Sequence, residues 1–82
     1  MRVKFRFLCV DMAAYSGVQE VDVEDGATVE LAIAAHAKLN NIEDTLSKLS
    51  DTMFMVGKDP ARRDTVLNDQ DEVYVMRILH GG

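Results

Sequence analysis

The stretch "VQEVDVEDGATVELAIAAHAKLN", residues 18–40, changes its hydrophobic period in the middle. In its first half Val21 and Val23 alternate with Glu20, Asp22 and Glu24, the period of two that makes a half-buried strand. Asp25-Gly26 supplies turn chemistry to close that strand. From there apolar residues recur at helical spacing: Val29, Ala32, Ile33 and His36, beside Leu31, Ala35 and Leu39. Thr28 is placed to cap the first turn, because a threonine hydroxyl can accept from an N–H left free there. Alanine and leucine dominate the segment, so intrinsic propensity agrees with the spacing. Asn40-Asn41 should end it. A strand running into a helix is thus the seed of the fold.

Upstream, "RVKFRFLCV" (residues 2–10) sets Val3, Phe5, Phe7 and Cys9 on one face and Arg2, Lys4 and Arg6 on the other. This is a second half-buried strand, and its charges oppose those of residues 20–24. Antiparallel pairing is expected to set Arg2 against Glu24, Lys4 against Asp22 and Arg6 against Glu20. Each such pair is worth roughly 0.2–1 kcal/mol. A slip of one residue would turn every charge inward. The intervening "DMAAYSG" reads as a loop.

Downstream, "IEDTLSKLS" predicts a shorter helical turn with Ile42, Leu46 and Leu49 inward. "TMFMVG" predicts a strand with Phe54 and Val56 inward and Met53 and Met55 outward. "KDPARRD" reads as a turn region around Pro60, the single proline of the chain. "TVLNDQDEVYVMRIL" brings Val66 and Leu67 inward, a polar turn at Asn68–Asp71, and a last strand from Glu72. There Val73 and Val75 face in while Tyr74 and Met76 face out. The expected order is β-β-α-β-β, a mixed sheet with one main helix packed on one face, an α+β architecture.

Composition bounds the function. With 82 residues there is room for one core. Nine basic against fourteen acidic residues give a formal charge of −5. Nucleic-acid binding needs a basic stripe, so it is excluded; the acidic balance suits a protein partner with a basic dock. One cysteine, Cys9, cannot form an internal disulfide, which suits a reducing, cytoplasmic setting, and its alternation with Phe5 and Phe7 places it in the core. The opening lacks the apolar run of a signal peptide, and no stretch is long enough to span a bilayer. Two histidines and one cysteine, all scattered, make no metal site. His36 reads as structural, and Arg62 and Arg63 beside Asp59 and Asp64 as a solvated turn. No glycine-rich phosphate loop, nucleophile elbow or acid–base pair is present, so no catalytic residue is assigned and the chain is not expected to be an enzyme by itself.

The sequence closes on "MRILHGG", residues 76–82. That ending, with the element order above, resembles the β-grasp ubiquitin-like sulfur carriers: the small subunit of molybdopterin synthase, the thiamine-pathway sulfur carrier, and the ubiquitin-related modifier. "FRFLCVDMAAYSG" is similar to the family's first strand and loop, "EDGATVELAIA" to its turn into the helix, and "TVLNDQDEVYV" to its entry into the last strand. The resemblance covers nearly the whole chain and implies a β-grasp domain over 1–78 with a flexible diglycine tail at 79–82. The sequence departs from the family at Gln70, where a turn glycine is common, and at Gly57, where an asparagine–glycine turn is usual. Its "ILHGG" is nearer to the ubiquitin-related modifier than to the proline-containing molybdopterin tail.

The resemblance implies that the reactive atom belongs to the carboxylate of Gly82. A bare carboxylate is a poor acylating agent. A ubiquitin-activating-type adenylating enzyme would spend ATP to make the acyl-adenylate, and a sulfur donor would then leave a thiocarboxylate. The chain itself would bind no cofactor. Gly81 and Gly82 suit threading into a partner's channel, having no Cβ to collide with its walls. His80 would contact that partner. If the first and last strands lie side by side, as in the family, Met53, Met55, Tyr74 and Met76 share the open face of the sheet and form a docking patch. The sulfur acceptor would be the large subunit of molybdopterin synthase, thiazole synthase, or a tRNA-thiolation partner. Two alternatives stand beside this: a ubiquitin-like modifier joined to lysines, and a β-grasp interaction module with no activated terminus.

Overall fold

Alternation along residues 2–7 and 20–22 becomes two paired strands, β1 (Arg2–Phe7) and β2 (Glu20–Asp22). Helix α1 (Val29–Leu39) follows, then β3 (Thr52–Val56), β4 (Asp59–Ala61) and β5 (Glu72–Arg77). The computed structural model describes residues 1–8, 20–41 and 52–77. The five strands form one sheet in the order β2-β1-β5-β3-β4. β1 runs parallel to β5, and the other neighbours are antiparallel. A parallel pair needs a long crossover, and α1 lies within it.

The helix begins and ends as its residues dictate. Thr28 Oγ1 accepts from the Leu31 N–H at 3.3 Å. The N–H groups of Val29 and Glu30 donate to the carbonyls of Thr65 and Arg63, so the chain before β5 satisfies the rest of the first turn. At the other end Asn41 takes φ of 56°, the left-handed conformation that asparagine tolerates. Val29, Ala32 and Ile33 press onto Val3, Phe5, Phe54, Val73 and Val75 to make the core, with Leu67 entering from the side. His36 belongs to the same layer, fully buried against the rings of Phe5 and Phe7 at centroid distances of 5.3 and 5.0 Å.

Three expectations need correction. The β1–β2 register is Arg2↔Asp22, Val3↔Val21 and Lys4↔Glu20, two residues away from the one expected. A slip of two keeps every side chain on its face, so alternation cannot detect it. What sets the register is the end of the ladder, where Met1 and Val23 exchange backbone hydrogen bonds of 2.8 and 2.9 Å. Arg6 consequently faces β5, opposite Tyr74. The second correction concerns Pro60, which lies in strand β4 and not in a turn, so the sheet has five strands instead of four. Third, Val66 is 59% exposed: it bridges to Thr28, and alternation leaves only Leu67 facing in.

Gly57 and Lys58 connect β3 to β4, with Gly57 at φ of 62°. Glycine first in a two-residue hairpin with positive φ is the type II′ solution, and no asparagine is needed. Cys9, the expected loop at 11–17, the second helical segment with Ile42, Leu46 and Leu49, and the tail with His80, Gly81 and Gly82 lie outside the described residues.

Candidate functional site: the open face of the sheet

Since Phe54, Val73 and Val75 point at α1, their neighbours along the same strands must point away. The β3–β5 ladder fixes how they meet: Met53 stands opposite Met76, and Met55 opposite Tyr74. The four residues expected from sequence therefore do share one surface, with Met53 48% exposed and the other three half-buried. Pro60 joins them from β4, opposite Met55.

Between these residues lies an apolar hollow of about 230 Å³, lined by Leu8, Met55, Gly57, Lys58, Tyr74 and Met76. Leu8 and Lys58 were not singled out from sequence. Leu8 was legible in principle: the alternation that sends Phe5 and Phe7 inward sends position 8 outward. Its N–H bonds to the Val75 carbonyl at 3.0 Å, which seats it beside Met76.

The face is divided. β3 and β5 contribute the apolar half. β1 and β2 contribute a charged half, in which Arg2 pairs with Asp22 at 3.2 Å and Glu20 at 3.7 Å. Glu72 marks the border. It lies 3.6 Å from Arg6 Nε and accepts from the Tyr74 hydroxyl at 2.5 Å. That hydrogen bond, with the negative charge of Glu72, holds the Tyr74 phenol above its ordinary pKa. The ring is thereby fixed at the edge of the apolar half by its polar end. A surface of adaptable methionines around an anchored tyrosine has the composition of a protein-binding site.

β5 occupies the middle of the sheet, and its last residue, Arg77, pairs with Thr52 one step beyond the Met53–Met76 pair. Among the described residues no cluster of histidine, cysteine or carboxylate side chains could hold a metal, and no helix is long and apolar enough to cross a membrane.

Strand order, the parallel β1–β5 pair and helix α1 packed on one side define a ubiquitin-like β-grasp fold. Solved structures agree. Two crystal structures of small archaeal modifier protein 1 (SAMP1) from Haloferax volcanii superpose with TM-scores of 0.76 and 0.74 at 18% and 17% identity. The first match covers 100% of both chains, the second 95% of this chain and 98% of the other. A protein from Pyrococcus furiosus described as molybdopterin converting factor, subunit 1, superposes with a TM-score of 0.71 at 18% identity, covering 95% of this chain and 98% of that one. No family model matches the chain, and no curated protein matches it. At these identities the likeness is one of fold.

Proposed function

We propose that this chain is a sulfur carrier, a small cytoplasmic protein that is activated by an enzyme and is not one itself. The supporting observation is the apolar face of Met53, Met55, Tyr74 and Met76 on a strand pair whose last residue, Arg77, precedes Gly82 by five positions in the sequence. A partner seated on that face is well placed to receive the tail. The similarity to SAMP1 and to the molybdopterin converting factor subunit supports the same kind of role.

In this reading an adenylating enzyme binds the open face and draws Gly81 and Gly82 into its nucleotide site, with His80 against its surface. A Gly82 carboxylate oxygen attacks the α-phosphorus of ATP and pyrophosphate leaves. Hydrosulfide then attacks the acyl carbon, AMP leaves with its phosphate oxygen, and the terminal thiocarboxylate that results is carried to an acceptor such as a molybdopterin synthase large subunit or thiazole synthase. The body of the protein supplies recognition, and the partner supplies catalysis.

The test is intact-mass measurement after incubation with the adenylating enzyme, ATP and a sulfur source. Wild type should gain the mass of one oxygen-to-sulfur exchange at its last residue. Gly82→Ala and a variant lengthened by one residue should not gain it, while remaining folded. Equal conversion of the lengthened variant, or a mature polypeptide continuing past residue 82, overturns the proposal. The resemblance to a protein named as a modifier favours one second reading, in which activated Gly82 is joined to lysines. Isopeptide adducts recovered from cells would select it over sulfur transfer.

A further inference from the structure

A second apolar recess lies away from the open face, between β2 and the first half of α1. It has a volume of about 440 Å³ and is lined by Asp22, Val23, Glu24, Ala27, Leu31 and Ala35. Leu31 is 60% exposed beside it, although a leucine on a short helix ordinarily turns inward. Among the described residues β2 is also an edge strand. Val23 exchanges backbone bonds with Met1. By the alternation of an antiparallel ladder, Val21 then bonds Val3, while Glu20 and Asp22 aim their N–H and C=O groups away from β1. An apolar floor and a row of outward backbone groups meet along one line. That is the requirement for adding a strand. The opposite edge is poorly suited to this, because Pro60 in β4 has no N–H to give.

Charge selects the occupant. A second copy pairing along β2 would bring two rows of Glu20 and Asp22 together, and like charges facing across strands are destabilising. β1 shows what suits β2 instead: Val3 and Phe5 turn toward α1, and Arg2 reaches Asp22 and Glu20 from the other face. The geometry points to an extended segment of another protein, alternating apolar residues with lysine or arginine, that adds to the sheet along β2. Its apolar side chains lie on Leu31 and Ala35, and its cations lie beside Glu20, Asp22 and Glu24. The edge is only three residues long, so the association is weak and reversible.

The probe is a synthetic peptide alternating valine and arginine, titrated into the isotope-labelled full chain and followed by amide chemical shifts. Saturable shifts should centre on residues 20–27, Leu31 and Ala35, and should weaken with added salt. Leu31→Lys, at an exposed position, should raise Kd about tenfold or more without loss of folding. Absence of saturable shifts overturns the inference. So does equal binding of a valine–glutamate peptide, or shifts confined to Met53, Met55, Tyr74 and Met76. Self-association of the free chain through β2, seen by sedimentation, would assign the recess to a second copy and also overturn it. None of these outcomes bears on thiocarboxylation of Gly82, so the two proposals fail separately.

Discussion

Met55 stands directly across the β3–β5 ladder from Tyr74, on the side of the sheet turned away from α1. The pair lies at the centre of the apolar half of the open face, where a partner would exclude water most completely. Met55→Asp and Met53→Asp are therefore expected to weaken binding to an adenylating partner about tenfold or more, as truncation of an interface anchor does. Their effect on stability should stay near 1 kcal/mol, the span of strand propensities at partly exposed sites. Calorimetric titration and urea denaturation on the same samples separate the two effects. Loss of folding without a selective loss of binding would make this face core.

Gln70 occupies a position that its backbone would give to glycine. Its φ is 70°, in the turn where the Asp71 N–H donates to the Asn68 carbonyl at 3.1 Å. Positive φ at the third residue of such a turn is the type II arrangement, in which a side chain is strained. Gln70→Gly should stabilise the protein by about 0.5–1 kcal/mol, the relief of strain being partly offset by the greater freedom of glycine when unfolded. A higher midpoint in urea at unchanged slope would show it. A lower midpoint would mean that the Gln70 side chain, which hydrogen-bonds Asp69, matters more than the strain.

How much of this was legible depends on what each signal can distinguish. The period change at Gly26 gave β2, the turn, the Thr28 cap and α1, because each is written within a few neighbouring residues. The outward set of Met53, Met55, Tyr74 and Met76 followed from alternation. Their direct opposition did not, since it depends on the β3–β5 register. Register was also what failed at β1–β2, where a shift of two residues still sets opposite charges across the strands, in two pairs instead of three. Strand β4 was hidden by Pro60. In a two-residue hairpin the closing pair, Val56 and Asp59, exchanges hydrogen bonds and the next pair, Met55 and Pro60, does not, so the missing N–H falls on the open edge. The recess beside Leu31 needs the spatial relation of β2 to α1, which no local spacing contains.

His36 should behave as a core residue. It is fully buried, with Phe5 and Phe7 stacked 5.7 Å apart beneath it. His36→Ala would leave a cavity against both rings, and a loss of about 2–4 kcal/mol is expected. His36→Leu, which keeps most of the volume, should lose less. Urea denaturation of the three proteins gives the order. Equal stability of wild type and His36→Ala would exclude a packing role.

Asp69 ties the turn before β5 to the first strand, and it should make stability depend on acid. Its Oδ1 accepts from the Arg2 N–H at 2.8 Å, while the Gln70 N–H donates to the Arg2 carbonyl at 2.7 Å. The Arg2 N–H, and after it the Gln70 side chain, hold the Asp69 carboxyl below its ordinary value of 3.8. Because the folded pKa is the lower one, the unfolded chain takes up this proton first as pH falls. The contribution is complete above the ordinary carboxylate range and disappears as pH drops through the folded value. Asp69→Asn keeps an oxygen that can accept from Arg2 but removes the charge. The stability advantage of wild type over this variant, measured by urea denaturation from neutral pH downward, should shrink once pH passes below 3.8. Two curves that stay parallel across that range would show that the charge of Asp69 does not hold the turn. The Arg2–Asp69 clasp would then act through hydrogen-bond geometry alone.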